Sequence, residues 1–243
     1  MQSSRQASRR SVTRIRGVVA PVVVTVALGA SLTGCGGKVT TENHSYQVAD
    51  RISKLQVRTP GGTVEVVAGT QAAVQVTETI RYNGEKPQVD HTASDGSLSL
   101  TAAECAQGIT HTVCQVSYRV VVPKDVEVTV RNTGGDVNVT GLAGALDLTG
   151  DGGAVRATDL TSAHFTAHAD GGSVNAQFAA APELVDIDSA GGSVTTRLPD
   201  GVYAVDASAD GGSRQVQVRT DPAAPHKVTV RSDGGSVAIL PLG

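Results

Sequence analysis

Val185-Asp-Ile-Asp-Ser-Ala-Gly-Gly-Ser-Val-Thr-Thr196 alternates apolar and polar residues up to a glycine doublet and resumes the alternation after it. Period-two alternation on both sides of a corner marks two half-buried strands, and a helical period does not fit. The same pattern surrounds doublets beginning at Gly134, Gly152, Gly171, Gly211 and Gly234, spaced about 18 to 23 residues apart. Six residues before each doublet stand Val128, Leu146, Phe165, Val185, Val205 and Val228. Three residues after it stand Val137, Val155, Val174, Val194, Arg214 and Val237. Arg214 is the one break in an otherwise apolar column. The doublet, often within Asp-Gly-Gly-Ser, reads as a corner where positive φ carries no penalty and an Asp side chain bonds the turn backbone.

An earlier copy surrounds Gly61-Gly62, with Leu55 and Val57 before it and Val64 and Val66 after it at the same offsets. Residues 67–124 then read as an elaboration of that first unit. They carry strand patterns at Ala73–Ile80, Ser97–Leu100 and Gln115–Val122, and a turn at Pro123-Lys124-Asp125. Columns that repeat at one coil length are what a β-solenoid requires, because each rung buries its apolar face only by stacking on its neighbours. The expected fold is therefore all-β, a parallel β-helix-like repeat domain with Gly-Gly turns. An antiparallel β-sandwich is the alternative, since strands at this spacing suit it too. The last coil ends at Pro241-Leu242-Gly243 with no obvious cap, an edge that another copy or the extra N-terminal strands would cover.

Cys114-Gln-Val-Ser-Tyr-Arg-Val-Val-Val-Pro123, Val126-Glu-Val-Thr-Val130 and Gly135-Asp-Val-Asn-Val-Thr-Gly-Leu142, followed by the Gly-rich rungs, resemble the DUF4097 family of adhesin-like proteins, common among actinobacterial lipoproteins. The resemblance covers most of residues 50–243. It implies a β-helix-like fold on the cell surface and carries little chemistry with it.

Residues 1–34 read as a signal peptide. Arg5, Arg9, Arg10, Arg14 and Arg16 precede an apolar run from Gly17 to Leu32, too short to span a bilayer. Leu32-Thr33-Gly34-Cys35 resembles the bacterial lipobox, which makes Cys35 the expected lipidation site and residues 35–45 a tether to the membrane. Ser8-Arg9-Arg10 resembles a twin-arginine export signal, although polar Thr13 stands where that motif wants an apolar residue. Residues 46–243 are then a single exported domain. Cys105 and Cys114 form an even pair in an oxidising compartment and are expected to be disulfide-bonded.

Beyond residue 34 the chain has 15 basic and 23 acidic residues, a net charge of −8. That balance excludes nucleic acid as a natural partner. No nucleophile elbow is present, so no catalytic residues and no cofactor are expected and the protein reads as non-enzymatic. His164 and His168 alternate outward on one strand, with Asp186 and Asp188 expected beside them on the next rung; these four are the metal candidates, against a reading as ordinary cross-strand contacts. Asp186, Asp188 and Asp206 should share an acidic outer face, the nearest equivalent of the paired carboxylates of polysaccharide-degrading β-helices. The expected role is adhesin-like or structural, with an envelope protein or glycan as partner. A cation- or glycan-binding sensing module is the alternative, and a carbohydrate-active enzyme ranks below both.

Overall fold

The computed structural model describes residues 38–104 and 113–243. Chain order runs β1 (Thr40–Val48), then β2 (Lys54–Thr59) and β3 (Val64–Gly69) around the first doublet. The elaboration supplies β4 (Val74–Tyr82), β5 (Val89–Ser94), β6 (Ser97–Ala102) and β7 (Cys114–Pro123). Four rungs follow, each with a doublet between its strands. They are β8 (Glu127–Asn132) with β9 (Val137–Thr140), β10 (Leu146–Gly150) with β11 (Val155–Leu160), β12 (His164–Ala169) with β13 (Val174–Phe178), and β14 (Leu184–Ser189) with β15 (Val194–Leu198). Next come β16 (Val202–Ala209) with β17 (Arg214–Val216), the short β18 (Arg219–Thr220), and the last rung, β19 (His226–Ser232) with β20 (Val237–Pro241).

Each rung gives one strand to each of two ten-stranded sheets. The rungs stack in parallel with identical offsets: Val137, Val155, Val174, Val194 and Val237 are successive ladder partners. Valine over valine through these rungs is the registered column that parallel stacking demands, and it excludes the antiparallel sandwich. Among the described residues, antiparallel pairing is confined to β1 with β4, β4 with β7, and β5 with β6. These pairs extend one pole of the stack. There β6 and β7 form a rung beside β2 and β3, out of chain order.

The opposite pole is also out of order. The last rung in the chain is not the last in space: β19 lies between β14 and β16, and β20 between β15 and β17. The uncapped final coil expected from sequence is therefore internal, closed by β16 and β17. This placement accounts for Arg214. Its column position pairs with Val237, but its rung is terminal, so the side chain reaches solvent where an interior rung would bury it.

The inner faces of the two sheets meet in a core of Val, Leu, Ile and Ala, with Phe165 and Phe178 edge-on at 5.5 Å between ring centres. β1 begins at Thr40, inside the stretch read as tether, which leaves residues 36–39 between Cys35 and the first strand.

The doublets are glycine for a different reason than positive φ. Gly62 alone among them has it, at 97°. Instead, from Gly135 onward the second glycine of each doublet stacks on its counterpart in the adjacent rung. A Cβ on Gly172 would overlap the carbonyl of Gly153, and one on Gly192 that of Gly172. Nor does the exposed Asp tie the turn. Buried side chains two residues before the doublet do so: Asn132 Nδ2 donates to Gly62 O at 2.8 Å, Ser189 Oγ to Gly192 O at 3.0 Å, and Ser232 Oγ to the same carbonyl at 2.9 Å. Each satisfies backbone that the corner takes out of the ladder.

Candidate functional site

The outer-face residues singled out from sequence fall where the register puts them. Thr166 pairs with Asp186 and His168 with Asp188 across β12 and β14. Their side chains are otherwise engaged. His168 Nε2 lies 2.9 Å from Asp170 Oδ1 of its own turn, and His164 Nε2 lies 3.7 Å from Glu183 Oε2. Among the described residues no group of three His, Cys, Asp or Glu is placed to hold a metal. The continuous acidic face is corrected as well. Asp206 is two strands from Asp186 and Asp188, because β19 intervenes with Thr229 and Arg231. Arg231 lies beside Asp188 in the ladder and donates to Asp206 Oδ2 at 3.0 Å. Basic and acidic residues interleave there. Cys35 and Cys105 lie outside the described residues; Cys114 opens β7 opposite Tyr82.

A denser polar cluster sits at the β1 pole, built from residues that are far apart in the sequence. On β1 the partly buried face is Glu42, His44 and Tyr46, with Val48 fully buried, while Thr41, Asn43, Ser45 and Gln47 are exposed. Tyr46 Oη donates to Glu78 Oε1 at 2.6 Å, and its ring stacks on His91 at 4.6 Å. Glu78 occupies an inward position of β4, between Val76 and Ile80, and is 4% exposed. Its ladder partners are His44 on one side and Tyr118 on the other. The Tyr118 hydroxyl is buried with no hydrogen-bond partner among the described residues. Burial, and then the Glu78 carboxylate, push the Tyr46 and Tyr118 phenols far above their ordinary range, so both remain protonated donors.

Beside them Glu42 accepts from Lys86 Nζ at 2.6 Å and Tyr82 Oη at 2.8 Å, with His44 Nε2 at 3.3 Å. The Lys86 bond and then the Tyr82 bond hold its carboxyl down at about 2. A depressed carboxylate contributes stability above its ordinary value of 4.5, and that contribution is lost as pH falls towards about 2. The protection of amides along Thr40–Val48, relative to their intrinsic exchange rates, is therefore expected to fall between those pH values ahead of the central rungs. Exchange that stays uniform along the chain would break the link between Glu42 and the attachment of β1.

Residues 50–240 match the family described as Toastrack DUF4097. The chain belongs to this family. Among solved structures, this Toastrack chain is similar to a candidate cell adhesion protein from Clostridium sporogenes, at 10% identity and a TM-score of 0.47, covering 84% of this chain and 100% of that one. It is also similar to a candidate adhesin from Bacteroides fragilis, at 12% identity and a TM-score of 0.38, covering 84% and 97%. A candidate lipid binding protein from Parabacteroides distasonis matches at 11% identity and 0.38, covering 83% and 97%. No curated protein matches.

Elsewhere the Toastrack surface is a lattice of exposed polar contacts between rungs. Asp136 ties two of them, accepting from Ala154 N at 2.9 Å and from Arg156 at 2.8 Å; the backbone bond and then the guanidinium lower its pKa. Glu42 and Asp136 are thus both stabilised as anions, which makes them weak proton acceptors. Among the described residues no helix is long and apolar enough to cross a membrane.

Proposed function

We propose that this Toastrack chain is a lipid-anchored surface domain with a non-catalytic, adhesin-like role, held at the membrane by its β1 pole. The observation that carries this reading is the distance from Cys35 to the fold. β1 starts at Thr40, so only residues 36–39, five Cα steps from Cys35 to Thr40, separate the candidate lipid site from an edge strand. At roughly 3.3–3.6 Å per residue the pole lies within about 18 Å of the anchoring cysteine. The stack rises from there, and its opposite pole is the part presented furthest from the membrane. The lowered carboxylates and the interleaved ion pairs favour contact over chemistry. A second reading, a sensing module for a small polar ligand or glycan, rests on the β1-pole cluster, where buried Glu78 and the unpartnered Tyr118 hydroxyl lie side by side.

Cys35→Ala in the full chain tests the anchor. The variant is expected in the medium and the parent in the membrane fraction, and a variant that stays with the membrane overturns the reading. The proposed Cys105–Cys114 disulfide is checked on the released protein: alkylation should label neither cysteine until a reductant is added.

A further inference from the structure

We propose that the terminal rung formed by β16 and β17 is a docking edge for an extended, acidic peptide segment of a partner protein. Three observations converge there. First, the rung is paired on one side only. β18 covers β16 at Val202 and Tyr203, which leaves the outer edge of Ala204–Ala209 without a ladder partner, and β17 pairs with β20 alone. A bare strand edge offers a row of backbone donors and acceptors that a further strand can satisfy.

Second, the inward side chains of this rung are incompletely covered. Val205, Ala207, Val216 and Val218 are only partly buried against the core, whereas their counterparts in interior rungs are buried. Val205, Val216 and Val218 border a cleft of about 530 Å³. Alternate side chains of an added strand would fill it, because every second residue points to the same face.

Third, the charge left over is positive. Asp206, Arg214 and Lys227 are the charged side chains lining the cleft. Asp206 is already neutralised by Arg231, while Arg214 and Lys227 have no ion-pair partner among the described residues. This selects an acidic segment. It also disfavours a second copy of the same edge, since a two-fold pairing would bring like charges together. The β1 edge at the other pole differs: its inner face is occupied by the Glu42 and Glu78 hydrogen bonds. The inference does not depend on whether Cys35 carries a lipid.

The test uses the full chain in mild detergent and two fluorescent peptides of alternating valine and threonine, one carrying two glutamates and the other two lysines. The glutamate peptide is expected to bind about three- to fivefold more tightly at low salt, an advantage that shrinks as salt is added. On binding, amide exchange should slow along Ala204–Ala209 and Arg214–Val216. Arg214 is exposed, so Arg214→Glu should fold as the parent does and, by leaving Lys227 opposed by a glutamate, erase the preference for the glutamate peptide. Equal binding of both peptides, indifference to Arg214→Glu, or protection elsewhere overturns the proposal. So does a concentration-dependent dimer that protects the same residues without peptide, which would make a second copy the occupant.

Discussion

Gly172→Ala is expected to destabilise the domain by about 2–3 kcal/mol, and Gly171→Ala, its immediate neighbour, by less than about 1 kcal/mol. The two glycines share a turn but not a role. A methyl on Gly172 would sit inside the carbonyl of Gly153 in the next rung, and backbone cannot rotate out of the way as a side chain can. Relief requires two rungs to move apart, which lengthens ladder hydrogen bonds and opens the core beneath. A methyl on Gly171 would stand 3.1 Å from Asp151 O, a contact that a shift of a few tenths of an ångström relieves. It would also restrict the unfolded chain, recovering about 0.4–1 kcal/mol. Urea midpoints of the two variants decide the matter. Equal destabilisation would mean that the doublets serve turn conformation after all. A large loss at Gly172 with a small one at Gly171 would establish close approach of the rungs as the reason for the second glycine of the motif.

That distinction was not available in the sequence, because left-handed backbone and close approach both select glycine. What was legible followed from parallel stacking, which forces equal offsets. Val137, Val155, Val174 and Val194 therefore announced their own column, and Thr166 and His168 their neighbours Asp186 and Asp188. Spatial order was not legible, since offsets are the same whichever rung lies next to which. Arg214 was the only clue: a charge in an apolar column is tolerated where the stack ends, and it does end there. β1 was missed because its inward face is Glu42, His44 and Tyr46, so the strand carries alternation without hydrophobicity and reads as a polar tether. The β1-pole cluster was hidden for a related reason. Tyr46, Glu78, His91 and Tyr118 come from four strands, and only the antiparallel extension at that pole brings them together. Within the core, Thr196 shows the limit of column reading. It is fully buried with an unpartnered hydroxyl, at a position where the other interior rungs have Val, Ala or Ile.

Phe165→Ala should carry the largest penalty of any single side-chain truncation, about 3–5 kcal/mol. Phe165 and Phe178 are the chain's two phenylalanines; both are fully buried, and they meet across the two sheets within one rung. Above and below Phe165 the same column holds Leu146 and Val185, smaller side chains that cannot reach into the space it vacates. The consequence exceeds the cavity itself. In a stacked repeat each rung contacts only its neighbours, so stability is transmitted along the axis by nearest-neighbour interfaces. The β12 and β13 rung is the link between β10 and β11 on one side and β14 and β15 on the other. Weakening it should uncouple the two halves and replace a single unfolding transition by two, with amides beyond Leu184 exchanging separately from those before Gly150. Val216→Ala, on the half-exposed terminal rung, should cost under about 1 kcal/mol and leave the transition single. Because the edge-on ring contact contributes about 0.5–1.5 kcal/mol of its own, the Phe165→Ala/Phe178→Ala double variant should lose less than the two single losses combined. If instead Phe165→Ala melts in one step and loses no more than Val216→Ala, the domain does not behave as a one-dimensional stack, and cooperativity must be carried by the polar ladders between rungs rather than by the shared apolar interior.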